Sequence, residues 1–340
     1  MLDHAAQHVS KRAKTHRSAK LRVTDVGFEA MTRPFRFGVQ CTTAPSRAAW
    51  VGMARKIEDS GYSTLTMPDH FDDQLAPSVA LMAAADATEV LRIGALVWCN
   101  DYRHPVVFAK EAATLDLLSE GRLELGIGAG WMSADYAQAG MTHDRAGVRI
   151  ERMVEAVEVL RGLFADEPFS YDGDHYTITA VDALPKPHQK PHPPFLIGGG
   201  GPRMLRTAGR LADIVGVNPN LSSGEINAET AQDATPARYE EKLGWVREGA
   251  GGRFGEIELQ VRTFIVQVTD DRQSVAEALA AGMGLSVEDG LASPLAMVGT
   301  PAQIAEDLRE RRERYGFSYV VVGAAEYEAF APVVAELVGS

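Results

Sequence analysis

The stretch from 35 to 61, FRFGVQCTTAPSRAAWVGMARKIEDSG, decides the fold because it holds one complete strand and one complete helix. Its first six residues indicate a β-strand, and Pro45-Ser46 indicates the start of a helix. One face of that helix is apolar at the spacing i, i+3, i+4, i+7, through Trp50, Met53, Ala54 and Ile57. Gly61 is typical of the residue that follows a helix. The stretch therefore predicts one strand–helix unit.

The same unit repeats along the chain. Further strands are predicted at 63–67, 92–98 and 122–127, with helices at 77–88 and from Pro105 to just before Gly121. The four strands begin about 30 residues apart, which is the length of one strand–helix unit. The second half is less regular, with strands predicted at 195–197, 213–217, 257–268 and 319–322, and helices at 144–164, up to about 248, 301–315 and 327–337.

Eight strands separated by helices predict an α/β fold, a closed (β/α)₈ TIM barrel. The alternative is an open doubly wound sheet with a cap domain. The polar stretch at 166–194, rich in Pro and His, is predicted to be an insertion with a short hairpin near Asp172-Gly173. Because no change in composition marks a linker, we expect residues 35–340 to form a single catalytic domain.

Composition bounds the class of protein. The 340 residues are 45% hydrophobic and 24% charged, as in ordinary soluble globular proteins. The net charge of −12 argues against general nucleic-acid binding, and no segment approaches the ~20 apolar residues of a membrane helix. Cys41 and Cys99 are the two cysteines, with no CxxC or Cys/His cluster, so we expect no disulfide framework, no metal site and a cytoplasmic protein.

Residues 1–34 differ from the rest of the chain. They hold seven Lys or Arg against three acidic residues, a balance of +4 that leaves −16 for the remainder. No apolar segment follows the basic residues, which argues against a secretory signal. We expect a basic leader that is disordered or ordered only by a partner subunit, and a nucleic-acid-binding arm is the alternative.

The active site of a barrel lies at the carboxyl ends of its strands, so the residues that follow each strand are the candidates. His70, with Asp69 beside it, directly follows strand two and is a candidate proton donor or cofactor contact. Asp69 has the alternative of holding the loop within the barrel wall. Arg103 and His104 are candidates for helix capping or the surface, and Cys99 has no obvious base partner that would make it a nucleophile.

Two glycine clusters lie at the same rim. Gly198 to Gly201 lead into a helix that starts at Pro202, and backbone N–H groups at a helix amino terminus attract anions. We therefore predict a phosphate at Gly199, Gly200 and Gly201, the alternative being a tight turn. In the other cluster, Gly128, Ala129 and Gly130 are predicted to approach a planar ring or its side chain. A nicotinamide fingerprint is disfavoured there because position 131 is Trp.

Several motifs occur in an order that resembles one known superfamily. They are Asp69-His70-Phe71 and the segments GALVWCNDYRHP at 94–105, KEAATLD at 110–116, SEGRL at 119–123, GIGAGW at 126–131, LPKP at 184–187 and VGTP at 298–301, together with the glycine cluster at 198–201. In this order they resemble the luciferase-like monooxygenase superfamily, and within it the coenzyme F420-dependent oxidoreductases.

The resemblance implies a barrel with an insertion after strand four, and a homodimer. It implies that the cofactor ring rests on a bulge at the end of strand three, with a non-proline cis peptide within Trp98-Cys99-Asn100, and that the phosphate lies at Gly199 to Gly201. The implied chemistry is hydride transfer between the deazaflavin C5 and a small organic substrate, as an F420H2-dependent reductase of a C=C or C=N bond. An FMN-dependent monooxygenase and a cofactor-free binding protein are the alternatives.

Three positions depart from the sugar-phosphate dehydrogenase branch of that group. That branch has Trp where this chain has Gln74, and Glu where this chain has Gln40 and Trp131. A sugar-phosphate dehydrogenase is therefore not expected. His70 remains the predicted acid, and Gln40 and Trp131 are predicted to shape the substrate pocket.

Overall fold

The computed structural model describes residues 33–221, 224, 230 and 232–340, so the predicted basic leader falls outside the described residues except for its last two positions. The strands are, in chain order, β1 (Arg36–Gln40), β2 (Thr64–Met67), β3 (Arg92–Ala95), β4 (Trp98–Cys99), β5 (Leu123–Gly128), β6 (Phe169–Asp172), β7 (Thr177–Val181), β8 (Phe195–Gly199), β9 (Ile214–Val217), β10 (Glu258–Arg262), β11 (Ile265–Val268), β12 (Ala296–Gly299) and β13 (Phe317–Gly323).

Helices connect these strands. They are α1 (Arg47–Asp59), α2 (Pro77–Asp86), α3 (Pro105–Leu118), α4 (Ser133–Ala139), α5 (Ala146–Phe164) and α6 (Pro202–Leu211), followed by helices at Pro236–Ala250, Arg272–Met283, Val287–Ala292, Pro301–Tyr315 and Tyr327–Leu337. Helix α1 begins where predicted, because the Ser46 hydroxyl accepts a hydrogen bond from the Ala49 N–H. Across the described ranges, no helix is both long and apolar enough to cross a membrane.

The barrel is closed and parallel, as predicted. Its strands follow the order β1, β2, β3, β5, β8, β9, β10 and β13, and β13 pairs with β1 to close the cylinder. Strand β4 continues β3 beyond an interruption and pairs with β5. The predicted hairpin within 166–194 is present as the antiparallel pair β6–β7. The carboxyl ends of the eight strands therefore share one rim.

The prediction of a single strand at 257–268 is wrong. Strand β10 ends at Arg262, where the Thr263 N–H still donates to the Val321 carbonyl of the barrel at 2.9 Å. The next N–H, of Phe264, donates instead to Leu295 at 3.0 Å, and β11 then pairs with β12 outside the barrel. The segment 257–268 contains no Gly or Pro that would signal a turn, because the chain exchanges one pairing partner for another without turning back.

The amino-terminal end of the barrel is filled by an ionic cluster. Arg36 lies between two carboxylates, with its Nη1 2.6 Å from Glu124 and its Nη2 2.6 Å from Glu258, and Arg92 Nε lies 2.9 Å from Glu124. Burial alone would raise the pKa of Glu124, but the charges and hydrogen bonds of Arg36 and Arg92 outweigh burial and hold that pKa below its usual value. The cluster lies at the opposite end of the barrel from the carboxyl rim.

We expect Glu124→Gln to lower the free energy of unfolding by about 2–4 kcal/mol near neutral pH, because it leaves buried guanidinium charge without its carboxylate. A carboxyl whose pKa is lowered by folding stabilises the fold above its ordinary pKa, and that contribution is lost as the pH falls through the lower, folded pKa. The variant should therefore lose less stability on acidification than the unaltered protein does. Denaturant unfolding between pH 7 and pH 3 measures both effects.

The matched control is Glu313→Gln, which removes the same charge from an exposed position on the helix Pro301–Tyr315. It should change stability by no more than about 0.5 kcal/mol. Equal losses in the two variants would contradict the role assigned to the cluster.

Candidate functional site

A cavity of about 920 Å³ opens at the carboxyl rim of the barrel. It brings together most of the predicted site residues, and its lining includes Gln40, Asp69, His70, Cys99, Gly128, Ala129, Gly130, Trp131, Gly199, Gly200 and Gly201. The residues that follow the first five predicted strands therefore meet in one cavity, as the topology of a parallel barrel requires.

The bulge of strand three lies earlier than predicted. The non-proline cis peptide joins Leu96 to Val97, so its predicted place within Trp98-Cys99-Asn100 is wrong. Glycines on the neighbouring strand explain the position. A Cβ at Gly126 would lie 1.9 Å from the Ala95 carbonyl oxygen, and one at Gly128 would lie 2.5 Å from the Val97 side chain. Only a strand without side chains at both positions leaves room for the bulge.

This shift changes which side chains face the cavity. Leu96 and Val97 line it, whereas Trp98 is fully buried with its ring 5.3 Å from that of Phe108. Asn100 is also buried, and its Nδ2 donates to the Tyr176 hydroxyl at 3.1 Å. The two residues thus support the wall from behind.

Asp69 holds its loop against the barrel wall, which was the alternative to a role in cofactor binding. One of its oxygens accepts hydrogen bonds from the Cys99 N–H at 2.9 Å and from Arg103 at 2.8 Å, and the other accepts from Arg103 at 3.2 Å. The carboxylate therefore ties the loop after β2 to the loop after β4. Cys99 is inert in this setting, since burial raises the pKa of its thiol to about 11.

His70 is oriented by a carboxylate that sequence analysis missed. Its Nδ1 lies 2.6 Å from Asp135 Oδ2, and the Asp135 side chain is only 3% exposed. An ionised carboxylate can only accept, so we assign the hydrogen to Nδ1. The same Asp135 oxygen accepts from the Tyr102 hydroxyl at 2.8 Å. Burial, with the nearby Cys99 and Asp135, raises the pKa of Tyr102, which keeps that hydroxyl protonated as a donor.

The other imidazole nitrogen of His70, Nε2, is available for proton transfer. No described residue accepts from or donates to His70 Nε2, and the side chain lines the cavity. Trp131 packs edge-on against the imidazole with a centroid distance of 5.7 Å. His70 can therefore hold or release a proton at Nε2 while Asp135 fixes the orientation of its ring.

The glycine cluster at 126–130 has structural reasons of its own. Gly126 and Gly128 accommodate the bulge, as above. Gly130 has a φ of 76°, and a Cβ there would lie 2.0 Å from the Tyr136 hydroxyl. Gly128, Ala129 and Gly130 still line the cavity, so contact with a ring remains a prediction for them.

The cluster at 198–201 has the features of an anion site. Within the described part of the chain, the N–H groups of Gly200 and Gly201 donate no hydrogen bond, and α6 begins immediately after them. The four glycines are not equivalent. A Cβ at Gly200 would lie 2.2 Å from the Pro219 backbone, whereas one at Gly201 would meet nothing nearer than Asn220 at 3.6 Å. Gly201 therefore has room that Gly200 lacks.

Gln40 connects the bulge to an arginine that sequence analysis also missed. Gln40 Nε2 donates to the Leu96 carbonyl at 3.2 Å, and Gln40 Oε1 accepts from Arg262 Nε at 2.8 Å. Arg262 ends β10 and lines the cavity, and burial lowers its pKa to about 10. The signal for Arg262 was a cation at the carboxyl end of a barrel strand. Asp135 offered none, because its partner is 65 residues away in sequence.

Comparisons with known proteins agree with this geometry. The family of luciferase-like monooxygenases matches residues 30–319. The chain is 31% identical over 194 residues to an F420-dependent glucose-6-phosphate dehydrogenase of Microbacterium testaceum, across 54% of this chain and 56% of that protein. It is 26% identical over 285 residues to an FMNH2-dependent dimethylsulfone monooxygenase of Pseudomonas putida, across 80% of this chain and 72% of that protein.

A solved structure has the same fold. The coenzyme F420-dependent tetrahydromethanopterin reductase of Methanopyrus kandleri superposes with a TM-score of 0.72 at 21% identity, covering 90% of this chain and 98% of that one. The overall fold is thus shared at low identity.

Proposed function

The chain belongs to the family of luciferase-like monooxygenases, and from that premise we propose that it is a coenzyme F420-dependent oxidoreductase. It transfers a hydride between the deazaflavin and a small organic substrate, in the direction of an F420H2-dependent reductase of a C=C or C=N bond. The observation that carries the proposal is the presence, in one cavity, of a glycine loop with free N–H groups at the start of α6 and of a histidine oriented by a buried carboxylate.

The residues present fit the cofactor's phosphate end. The free N–H groups of Gly200 and Gly201 and the first turn of α6 offer donors to an anion. Asn218, which follows β9 at the same rim, has a buried amide oxygen with no partner within the described residues. That orphaned acceptor suits a hydroxyl group on the chain that joins a phosphate to a ring.

The residues also fit a flat ring. Leu96, Val97 and Ala129 supply an apolar wall, and Gln40 holds the bulge in place through the Leu96 carbonyl. When bound, the deazaflavin would supply or accept a hydride at its C5 carbon. Reduction of a C=C or C=N bond requires a proton as well as a hydride, and His70 Nε2 can donate that proton while Asp135 stabilises the imidazolium form.

The proposal does not extend to sugar phosphates. Gln40 is occupied by Leu96 and Arg262, and Gln74 donates to the Pro68 carbonyl at 3.0 Å as part of the loop. Trp131 packs on His70 where a carboxylate would be needed. These are the three positions that depart from the sugar-phosphate dehydrogenase branch.

The second candidate is an FMN-dependent monooxygenase. It is favoured by the relative that aligns over 80% of the chain, which is named as FMNH2-dependent. FMN carries a ring and a phosphate in the same arrangement as coenzyme F420, so the cavity alone does not distinguish the two cofactors. A deazaflavin lacks the N5 chemistry of flavin oxygenation, so identifying the cofactor decides between them.

The deciding experiment is a titration of the purified full-length protein with coenzyme F420 and, separately, with FMN, following quenching of cofactor fluorescence. We expect saturable F420 binding at least about tenfold tighter than FMN binding. Tight FMN binding without F420 binding would overturn the proposal in favour of the monooxygenase. Binding of neither cofactor would overturn both and support a cofactor-free binding protein.

A further inference from the structure

Arg262 has a charge that the described residues leave unpaired. Its only hydrogen bond within them runs from Nε to Gln40 Oε1 at 2.8 Å, so the two Nη groups have no acceptor there. Glu326 acts on Arg262 electrostatically but forms no ion pair with it in the described part of the chain. Arg262 is one of the residues that line the cavity.

The other arginines of the cavity each use at least one Nη group in a hydrogen bond. Arg203 is paired with Glu151 at 2.6 Å, and Arg149 donates to the backbone carbonyls of Asp144 and Gly130. Asp69, a carboxylate of the lining, is already bound by Arg103. Within the described lining, Arg262 is therefore the arginine whose two Nη groups both lack an acceptor.

The guanidinium is also oriented. Nε is fixed by Gln40, whose amide is fixed in turn by the Leu96 carbonyl at 3.2 Å. The bond from Nε leaves the Nη1 and Nη2 edge without a partner among the described residues, and that edge is a fork that matches the two oxygens of a carboxylate. Arg262 is half-buried and forms no ion pair within the described residues, so an anion that reaches it is attracted more strongly than at the open surface.

From this arrangement we infer that the substrate carries a carboxylate, which Arg262 binds through its two Nη groups beside the bulge. The inference rests on the proposed function, since it names the substrate class of the same site. A single cation favours a monoanion over a phosphate dianion. Strand β9 lies between β10, which ends at Arg262, and β8, which leads into the glycine loop, so we place the substrate carboxylate and the cofactor phosphate at separate anion sites.

The test uses benzoate and benzamide, which share size and shape and differ in charge, with calorimetric titration of the full-length protein both without cofactor and saturated with F420. The unaltered protein should bind benzoate at least about tenfold more tightly than benzamide in both states. Arg262→Gln should remove that preference and leave F420 affinity unchanged. Arg262→Lys, which keeps the charge but not the fork, should retain part of it.

The matched control is Arg309→Gln, which removes an equal charge from the exposed pair with Glu336 and should keep the benzoate preference. Equal binding of benzoate and benzamide by the unaltered protein would overturn the inference. So would benzoate binding that survives in Arg262→Gln, or an Arg262→Gln variant that loses F420 affinity and keeps benzoate. Because the titration without cofactor stands alone, failure of F420 to bind would count against the proposed function and not against the carboxylate site.

Discussion

A Gly201→Asp variant is expected to bind coenzyme F420 at least about 100-fold more weakly than the unaltered protein, because a fixed negative charge would replace the ligand anion at the start of α6. The side chain itself has room, since the nearest atom to a Cβ at this position lies 3.6 Å away. Gly201 has a φ of −91°, which any residue adopts, so the backbone accepts the change as well. Fluorescence titration measures the loss.

Stability should move in the opposite direction from affinity. Gly201 is the N-cap residue of α6, and aspartate is among the best N-cap residues because its carboxylate accepts the free N–H groups. The variant should therefore unfold at the same temperature as the unaltered protein or slightly higher. A loss of binding without a loss of stability identifies an anion site rather than a damaged loop.

The neighbouring glycine provides the contrast. A Cβ at Gly200 would lie 2.2 Å from the Pro219 carbonyl carbon, so even Gly200→Ala must displace backbone. We expect it to lower the unfolding temperature, which makes any loss of binding there ambiguous. Gly201→Ala should keep F420 affinity within about threefold, since it adds no charge. If Gly201→Asp binds F420 as tightly as Gly201→Ala does, the phosphate lies elsewhere.

The barrel was predictable because its signal is local and repeated. Each early strand lies next to the helix that covers it, and units of about 30 residues recur four times. The rim followed from topology alone, which is why His70, Gln40 and the glycine loops were found together. The same reasoning failed for β11 and β12, whose pairing joins residues 31 positions apart, such as Ile265 and Ala296, and does not depend on the pattern of either strand.

The finer features of the site depend on contacts between distant segments. The bulge lies at Leu96–Val97 because Gly126 and Gly128 on the next strand lack side chains, and a sequence pattern within strand three carries no trace of that. The Asp135 carboxylate reaches His70 from α4, the helix that follows β5, the fourth strand of the barrel. A carboxylate on a short helix is ordinary until its partner is known.

Asp135→Asn is expected to lower turnover by about 10²–10³-fold while leaving F420 affinity unchanged, because general acid catalysis contributes rates of this order. The carboxylate does two things for His70. It accepts the Nδ1 hydrogen at 2.6 Å, which leaves Nε2 for the substrate, and its charge stabilises the imidazolium that donates the proton. An amide can replace the hydrogen bond in one orientation but supplies no charge.

Two measurements separate this role from a structural one. The rate of F420H2 oxidation with 2-cyclohexenone, an activated alkene, reports turnover. The ¹⁵N chemical shifts of the His70 ring report which nitrogen carries the hydrogen in the neutral form, and we expect Nδ1–H in the unaltered protein and a mixture in Asp135→Asn.

Tyr102→Phe is the matched control, because it removes the hydroxyl that donates to Asp135 at 2.8 Å and leaves the Asp135–His70 bond in place. Tyr102→Phe should lower turnover by no more than about fivefold. Equal turnover in Asp135→Asn and the unaltered protein, or an unchanged Nδ1–H tautomer in that variant, would show that Asp135 does not position the proton, since His70 would then hold it without help from the carboxylate.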